Sequence, residues 1–538
     1  MPVSATYSVE LDINRNDAFD HANADITNYV LGASWTNGMA DSYDTYANPA
    51  SLTITLNNSS GAFNVEDSGA LYYDVLRHGL LVRICATDPT TTTTHVLCKL
   101  KLSSVRVSPG AYSSRTIVLT CTDPMGELLL DNWAGTIYTN TTADVILTDI
   151  FGNGVVVYPY DGYWWLLGIV GSSELGQTTI LFDPSTFTNF ETGNSTLVIA
   201  GDNIGSDDSA QTLIREIVLR ELGRFYWDVR TSKAVFHSRQ HDLGSTSSLT
   251  LTQDEIYQPT EYIVDDDMVN KYLIDYEARE IGAADSVIWS NDSVPISIDN
   301  GASVEYKFSY SNVGAVDQTG TVYSNDAYTP IAGVDVIANT ASDGSGTDAS
   351  GSMAISATID IDGATVTVVN NYGSTVYITT LQMRGTPLTI YPSETYETVN
   401  IERIASYDKR SQRITARLLE SEEAAASYAK YLVSNFSRAQ AGFKSVTIDT
   451  AQSTDLMTAG LTFTVGTVIT ITESFTTHND TYLIVGERHS YVPGGVVNGQ
   501  QYQTHMVTWI LRPFSTLVSW KLGVAGLSEL GETTILAY

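Results

Sequence analysis

The stretch SLTITLNNSSGAF, Ser51–Phe63, decides the fold of the first part of this chain. Leu52, Ile54 and Leu56 alternate with polar residues, so the segment has one apolar and one polar face. A period of two is typical of a β-strand with one buried face. The Asn-Asn-Ser-Ser-Gly run that follows contains residues that accept left-handed backbone or hydrogen-bond their own main chain. The sequence therefore predicts a half-buried strand that ends in a tight turn, after which Phe63 returns to the apolar side.

Length and composition extend this prediction to the whole chain. At 538 residues the chain is longer than one hydrophobic core usually supports, so about three to five domains are expected. Threonine, valine, isoleucine and 31 tyrosines favour strands, and 40 glycines supply turns. We expect a mainly β, multidomain protein with a few helices, a β-rich α+β fold.

The charge balance excludes two classes of partner. The chain has 28 basic and 61 acidic residues, a formal net charge of −33. Nucleic-acid phosphates and anionic lipids are bound through a basic surface, so specific binding to either is not expected. A run of about 18 apolar residues, the length that predicts a membrane span, does not occur, so membrane insertion is not expected. Residues 1–8 lack the basic and apolar regions of a secretory signal.

Three cysteines, Cys85, Cys98 and Cys121, lie in the first 125 residues. The number is odd, and reduced, buried thiols are the expected state in a chain made in the cytosol. Cys85 and Cys98 flank the threonine run 90–94, which reads as a hairpin tip. A cross-strand disulfide between them is therefore geometrically conceivable but not required.

Further segments follow Ser51–Phe63 in a distinctive order. They are Asp25–Val30 with Ser34-Trp35 upstream, then Gly79–Ile84, Ile117–Leu128 with its Asp123-Pro124 turn, Ala143–Ile150, Phe225–Asp228, Val235–Arg239, Val269–Ile274 and Ser406–Leu419. In this order the elements resemble the tail-hub proteins of long-tailed bacteriophages, also called minor tail or baseplate-hub proteins. The resemblance covers most of the chain outside residues 286–395.

The resemblance implies a structural virion protein without enzymatic turnover. In that family three copies form a ring at the distal end of the tail tube, and two barrels per subunit adapt the sixfold tube to a threefold tip. It implies assembly in the host cytoplasm and a place at the tail tip. The implied partners are a distal tail or tube protein above, a fibre or tip protein below, and genomic DNA that passes without specific binding. A net charge of −33 suits such a conduit, although solubility or an acidic proteome explains it equally well.

The expected domain organisation follows from composition and from the resemblance. We predict a first hub barrel (1–125), a mixed α/β middle domain (126–285), an inserted β-sandwich (286–395), a return to the middle domain (396–439) with a helix over 421–438, a second hub barrel (440–515) and a C-terminal arm (516–538). A second helix is expected from Asp208, with Leu213, Ile214, Ile217 and Val218 on its buried face and Gly223 at its end.

The C-terminal arm repeats an earlier segment. Residues 165–181 match residues 520–536 at 12 of 17 positions without a gap. Such short copies cannot bury a core of their own, so each is expected to dock its large apolar residues on another surface. The candidate interface residues are Trp165, Leu167, Leu175, Leu181, Trp520, Leu522, Leu530 and Leu536.

Signatures of catalysis and of cofactor binding are missing. The chain has no GxxxxGK[ST], HExxH, GxGxxG or GxSxG motif, so neither catalytic residues nor a cofactor is expected. Three groups are weak candidates for metal binding, and each has a simpler explanation: His237 and His241 share a strand face, Asp265–Asp267 is an acidic turn, and Asp360 with Asp362 belongs to an Asp-Gly hairpin turn. No metal site is predicted.

Two alternatives to a hub remain open at this point. The block 286–395 could be a carbohydrate-binding receptor module whose ligand is a glycan of the host surface. The aromatic cluster Tyr158, Tyr160, Tyr163, Trp164 and Trp165 could likewise be a sugar-stacking platform, an interface anchor or part of a core. The second alternative is a peptidoglycan-degrading tail enzyme, for which the sequence contains no catalytic motif.

Overall fold

The computed structural model of the protein describes residues 4–64, 66–110, 115–126, 137–151, 157–160, 163–166, 188–202, 210–242, 245–263, 268–291, 293–311, 313, 320–437, 442–494, 496–497, 500–501, 503–514, 518–520 and 534–536. Within these ranges the chain is mainly β and multidomain, with several sheets and five α-helices, which confirms the predicted fold class.

The strands of the first half are β1 Thr6–Leu11, β2 Val30–Gly38, β3 Ser51–Asn57, β4 Leu81–Thr87, β5 Thr94–Ser108, β6 Thr116–Thr122, β7 Tyr138–Thr142, β8 Val157–Tyr160, β9 Tyr163–Leu166, β10 Thr188–Phe190, β11 Thr196–Ala200, β12 Arg224–Asp228, β13 Lys233–His237, β14 Thr250–Thr252, β15 Tyr257–Ile263, β16 Lys271–Tyr276 and β17 Arg279–Ile281. Those of the second half are β18 Ser286–Ser290, β19 Ile296–Ile298, β20 Ser303–Ser309, β21 Thr321–Tyr323, β22 Val336–Asn339, β23 Met353–Ile359, β24 Gly363–Asn370, β25 Val376–Gly385, β26 Leu388–Ile390, β27 Glu394–Val399, β28 Ser411–Thr415, β29 Gly442–Asp449, β30 Val468–Glu473, β31 His478–Val492, β32 Val496–Val497, β33 Gln500–Gln501, β34 Thr504–Pro513, β35 Val518–Trp520 and β36 Thr534–Leu536. The helices are α1 Ala143–Asp149, α2 Ala210–Glu221, α3 Ile401–Tyr407, α4 Glu422–Phe436 and α5 Thr454–Thr462.

The strand predicted from Ser51–Phe63 is β3, and its burial alternates as expected. Leu52, Ile54 and Leu56 are completely buried in the main hydrophobic core. After the strand, the Asn58 side chain accepts a hydrogen bond from the Phe63 backbone N–H at 3.1 Å, which closes the turn. Gly61 adopts a φ of +75°, a conformation that side chains other than hydrogen rarely tolerate.

The largest sheet has 12 strands and combines residues from both ends of the chain. Its N-terminal unit is the series β1-β4-β5-β6-β3-β2. Its C-terminal unit contains β14, β30, β31, β34, β29 and β15. The two six-stranded units meet where β2 pairs with β31, in the antiparallel register Ala33↔Tyr491 to Gly38↔Gly486. One continuous sheet therefore links segments more than 400 residues apart in the sequence.

The structure has a helix in each of the two segments where sequence patterns predict one, α2 over Ala210–Glu221 and α4 over Glu422–Phe436, and residue 208, the predicted start of the first, lies outside the described residues. In α2 the residues Leu213, Ile214, Ile217 and Val218 are buried, and the Gly223 N–H donates to Val218 O just after the helix. In α4 the Ser421 side chain accepts a hydrogen bond from the Ala424 N–H at 3.1 Å, as an N-cap does. The buried face of α4 packs on the three-stranded sheet β27-β16-β28.

Residues 279–390 contribute to three further sheets. The sheets are β18-β25-β19 with β22, β20-β24-β23 and β17-β26-β21. A separate hydrophobic cluster, drawn only from residues 288–383, contains side chains of the first two sheets together with Val322 of β21. Asp360 and Asp362 lie in the turn between β23 and β24, where the Asp360 N–H donates to Gly363 O, as expected for a hairpin turn. The domain boundaries given above remain predictions.

Cys85, Cys98 and Cys121 are buried free thiols, and burial raises the pKa of each. In the part of the chain that the structure describes, no helix is long and apolar enough to cross a membrane.

Candidate functional site: the junction of the two strand units

The long strand β31 defines the junction between the two units. β31 pairs with β34 from Tyr482↔Pro513 to Val492↔Thr504. On its other edge, the first half of β31 pairs with β30 and the second half pairs with β2. The change of partner occurs next to a register shift between Ile484 and Gly486. β31 is therefore the strand through which the two units become one body.

The backbones approach so closely at this point that only glycine fits. A Cβ atom on Gly486 would lie 2.0 Å from the carbonyl oxygen of Met39. A Cβ on Gly38 would lie 2.5 Å from Val465 Cγ2, and Gly38 has a φ of +78°. The Met39 N–H donates to Val485 O at 2.9 Å across the same contact. The two glycines thus permit the crossing of β2 onto β31.

A buried carboxylate lies directly beside this crossing. Glu487 is 1% exposed and accepts four hydrogen bonds. Its Oε1 atom accepts from Asn37 Nδ2 and Thr464 Oγ1, each at 2.8 Å. Its Oε2 atom accepts from Arg230 Nη2 at 3.1 Å and lies 3.0 Å from His489 Nε2. The carboxylate therefore joins β2, β31, the β12–β13 turn and the loop after α5.

Two histidines and a tyrosine extend the hydrogen bonds of Glu487 into the N-terminal unit. His489 Nδ1 lies 3.0 Å from His505 Nε2, and His505 Nδ1 lies 2.7 Å from the Tyr7 hydroxyl. Because an ionised carboxylate only accepts, His489 must donate from Nε2, and its Nδ1 then accepts from His505. The Tyr7 hydroxyl donates at the far end. We assign both histidines as neutral Nε2–H tautomers from this chain of donors and acceptors.

The electrostatics of the junction agree with this assignment. Burial alone would raise the pKa of Glu487, but the Arg230 charge and the hydrogen bonds of His489 and Asn37 outweigh it and hold the pKa well below its ordinary value. Burial lowers the pKa of His489, and it lowers the pKa of His505 further with help from His489. At neutral pH the site therefore contains one ion pair, Glu487 with Arg230, and two uncharged imidazoles.

The packing around these hydrogen-bonded side chains is aromatic, and both strand units contribute to it. Trp35 of β2 stacks on His489 with ring centroids 4.6 Å apart and planes at 6°. Tyr7 of β1 stacks on Tyr491 at 4.4 Å. Helix α5 connects the cores as well, because its Met457 and Leu461 belong to the first core while Leu456 and Ala459 belong to the second. The junction is thus fixed by hydrogen bonds, ring stacking and apolar contacts together.

This arrangement has the residue types of a proton relay but not the access that catalysis needs. Tyr7, Glu487, His489 and His505 are all buried, and each is hydrogen-bonded to another member of the chain. A substrate would have to enter the main hydrophobic core to reach them. The chemistry that the geometry supports is structural: it fixes the angle and register between the two units.

One cleft lies elsewhere, at the base of the block 286–395. Its volume is about 220 Å³. Its lining residues are Asp202, Glu277, Thr321, Tyr323, Ile390, Tyr391, Pro392, Ser393 and Arg417. Beneath it, the buried Arg279 pairs with Asp202 and Glu277, and Arg417 also pairs with Glu277. The charged side chains of the cleft are therefore already paired with one another or with Arg279.

The interface residues predicted from the repeat are only partly within the described chain. Leu167, Leu175, Leu181, Leu522 and Leu530 lie outside the described residues. Trp165 lies in β9, which pairs with β8. Trp520 and Leu536 lie opposite each other in the parallel pair β35–β36. The side chains of these three residues are also outside the description, so their role in an interface remains a prediction.

The weak metal candidates are in the following positions. His237 and His241 lie together with their rings stacked at 3.5 Å, and burial lowers the pKa of His237 to about 3. Residues 265–267 lie outside the described ranges, as do the side chains of the aromatic cluster 158–165. Where side chains are described, no group of three or more histidine, cysteine, aspartate or glutamate residues could hold a metal ion.

Comparison with known proteins gives structural neighbours only. No family model and no curated protein matches this sequence. The fold is similar to a tail protein from Neisseria meningitidis MC58, with a TM-score of 0.45, 7% identity and coverage of 95% of this chain and 96% of that one. It is similar to the prophage MuSo2 43 kDa tail protein from Shewanella oneidensis, with a TM-score of 0.45, 10% identity and coverage of 95% and 99%. A prophage tail protein from Listeria monocytogenes EGD-e has a TM-score of 0.39, 8% identity and coverage of 95% of both chains.

Proposed function

We propose that this chain is a structural subunit of a phage tail hub, and that three copies form a ring at the distal end of the tail tube. The observation that carries the proposal is the 12-stranded sheet, in which two six-stranded units are fused edge to edge. Three such subunits present six units around one axis, which is the number needed to match a sixfold tube. The order of sequence motifs noted above supports the same proposal.

The rigid junction gives this proposal a physical basis. An adaptor must keep its two units at a constant angle, because an error at one unit displaces the surface offered to the next tube subunit. The buried Glu487–Arg230 pair, the close contact of Gly38 with Gly486 and the shared helix α5 all restrict that angle. A scaffold of this kind needs no substrate pocket and no turnover.

The charge of the chain fits a channel that DNA passes without binding. At −33 per chain, a ring of three copies repels a passing polyanion rather than retaining it. The proposed neighbours are a distal tail or tube protein on one side and a fibre or tip protein on the other. The proposed location is the tail tip of the virion, after assembly in the host cytoplasm.

The mass of the purified protein in solution tests the proposed oligomer. Multi-angle light scattering should give three times the chain mass of 58.4 kDa. A monomer that persists at the highest attainable concentration would contradict the homotrimer. Detection of the chain at tail tips with specific antibodies tests the location independently.

The C-terminal arm is proposed to contribute to assembly. Truncation after Pro513 removes β35, β36 and the second repeat copy. If the arm clamps a neighbouring subunit, the truncated chain should form less trimer than the full chain at equal concentration. An unchanged oligomer with unchanged thermal stability would remove the assembly role.

Glycan binding by the block 286–395 is the second candidate function, favoured by the cleft at its base. Tyr323 and Tyr391 lie beside Asp202, Glu277 and Arg417 there, and these polar groups are able to hydrogen-bond sugar hydroxyls. A glycan array probed with the full chain and with a Tyr323→Ala variant tests it. Binding that the variant loses would support this candidate, and an array without signal would contradict it.

A further inference from the structure

An exposed segment caps one end of the sheet β27-β16-β28. We call residues 399–413 the basic strip. Lys271, the first residue of β16, pairs with Val399 at the end of β27 and with Ser411 at the start of β28. Helix α3 connects these two strands and therefore spans the end of the sheet above the start of β16.

The basic strip is held in place by one buried residue, Asn270. The Asn270 carbonyl accepts from the Asn400 N–H at 2.9 Å, and its side chain donates to Asp408 O at 2.7 Å. Its side-chain oxygen accepts from the Arg410 N–H at 2.9 Å. Asn400 in turn caps α3 by accepting from the Arg403 N–H at 3.1 Å. The strip is thus preordered by bonds at both of its ends, and such preordering lowers the entropy lost on docking.

Three apolar side chains of the strip are exposed in the described chain, while Ile404 is half-buried. Helix α3 contains no buried residue, and Ile401 is 75% exposed. Val399 and Tyr407 are exposed as well. A helix of seven residues is too short to be stable on its own in water, and helices of this length usually depend on packing. The exposed apolar side chains therefore fit a surface that a partner covers.

The charge of the strip is opposite to that of the molecule as a whole. Residues 399–413 contain four basic and two acidic side chains, whereas the whole chain has 28 basic and 61 acidic residues. Arg403 and Lys409 make no salt bridge with any side chain in the described ranges, and Arg413 pairs with Asp275. The complementary partner is acidic, and a second copy of this chain, with 61 acidic against 28 basic residues, has that character.

We infer that the basic strip docks on the acidic surface of a second copy of this chain and forms the contact between neighbouring subunits of the ring. The inference rests on the proposed homotrimer. Contact between two different surfaces of neighbouring copies is head-to-tail, and such contacts form a ring when the rotation from one copy to the next closes. DNA is the weaker occupant, because a phosphate backbone would leave the apolar side chain of Ile401 uncovered.

The test reverses two charges of the strip in the full chain. The variant Arg403→Glu/Lys409→Glu keeps the backbone bonds to Asn270 and leaves Arg413 with Asp275. We expect a trimer dissociation constant raised roughly 10- to 100-fold, because two favourable rim charges become repulsive. Raising the salt concentration from 50 to 500 mM should narrow the difference between the dissociation constants of the native protein and the variant, because salt screens the charges of the strip. Mass photometry over a dilution series measures both effects.

Two further variants make the result specific. Arg106→Glu/Lys307→Glu changes exposed basic residues outside the strip and should leave the trimer unchanged. Ile401→Ser removes the apolar contact without touching a buried residue and should weaken the trimer at any salt concentration. A native protein that is monomeric would overturn the proposed function itself. A trimeric native protein whose strip variants remain equally trimeric would overturn only the docking site. A strip-dependent shift of duplex DNA in a gel, with the trimer unaffected, would assign the strip to nucleic acid instead.

Discussion

Replacement of Glu487 by glutamine tests whether the buried ion pair fixes the junction. In the native chain, Oε1 accepts from Asn37 and Thr464, while Oε2 faces Arg230 and His489. The glutamine oxygen can take the place of Oε1, but its amide group then points donors at Arg230. If His489 and His505 both change tautomer, their hydrogen bonds to the glutamine, to each other and to Tyr7 can form again. The interaction that cannot be restored is the negative charge opposite Arg230. Breaking a buried ion pair by removing one partner costs about 3–5 kcal/mol, and we expect the Glu487→Gln variant to lose about 3 kcal/mol of unfolding free energy.

Urea denaturation followed by tryptophan fluorescence measures this loss, because Trp35 stacks on His489 at the centre of the junction. The matched control is Glu397→Gln, which removes the charge from an ion pair with Lys271 at a half-exposed carboxylate. That variant should lose less than about 1 kcal/mol, as surface pairs generally do. A Glu487→Gln variant that unfolds within 1 kcal/mol of the native protein would show that the ion pair does not fix the junction.

Three further predictions address pH, the glycine crossing and the separate core. Burial lowers the pKa values of His237, His489 and His505 in the folded chain, so below about pH 6.5 only the unfolded chain binds protons at these residues. The free energy of unfolding should therefore fall from pH 6.5 towards pH 5, by up to about 1.4 kcal/mol per pH unit for each histidine. A urea midpoint that stays constant between pH 7 and 5 would refute this. Gly486→Ala should lose about 3 kcal/mol or fail to fold because its Cβ meets a backbone carbonyl at 2.0 Å, whereas Gly351→Ala, which meets nothing within 4 Å, should retain native stability in the same melt. Replacing residues 287–384 by Asn-Gly should leave the remaining chain soluble, with a cooperative thermal melt. The replacement is possible because Ser286 pairs with Gly385, and a two-residue turn can join two paired residues of antiparallel strands. An insoluble product would mean that the rest of the chain needs this block in order to fold.

Local sequence patterns were sufficient for individual elements. The alternation in β3 and the N-cap at Ser421 are properties of neighbouring residues, so burial and helix start follow directly from them. The alternation of apolar and polar residues in β34 contains a signal for the junction. His505 has the parity of Val507, Trp509 and Leu511 in β34, which puts it on the buried face, and a histidine in that position calls for a hydrogen-bond partner.

The partner itself could not be read from the sequence. Asn37 and Glu487 are 450 positions apart, and a strand's pattern gives its buried face but not the strand it pairs with. The participation of β14 and β15 in the large sheet was missed for the same reason, since their short segments gain their place from pairing with β30 and β29. The exposure of the basic strip could not be predicted from the sequence either, because it depends on how Asn270 holds the strip.

The central claim is that three copies of this chain form a ring of six strand units. Electron microscopy of the purified full-length protein tests it most directly, through class averages of particles viewed along the ring axis. The account predicts averages with threefold symmetry, six strand units around the circumference and an open centre. Single-chain particles, or closed assemblies of another symmetry without a central opening, would contradict it.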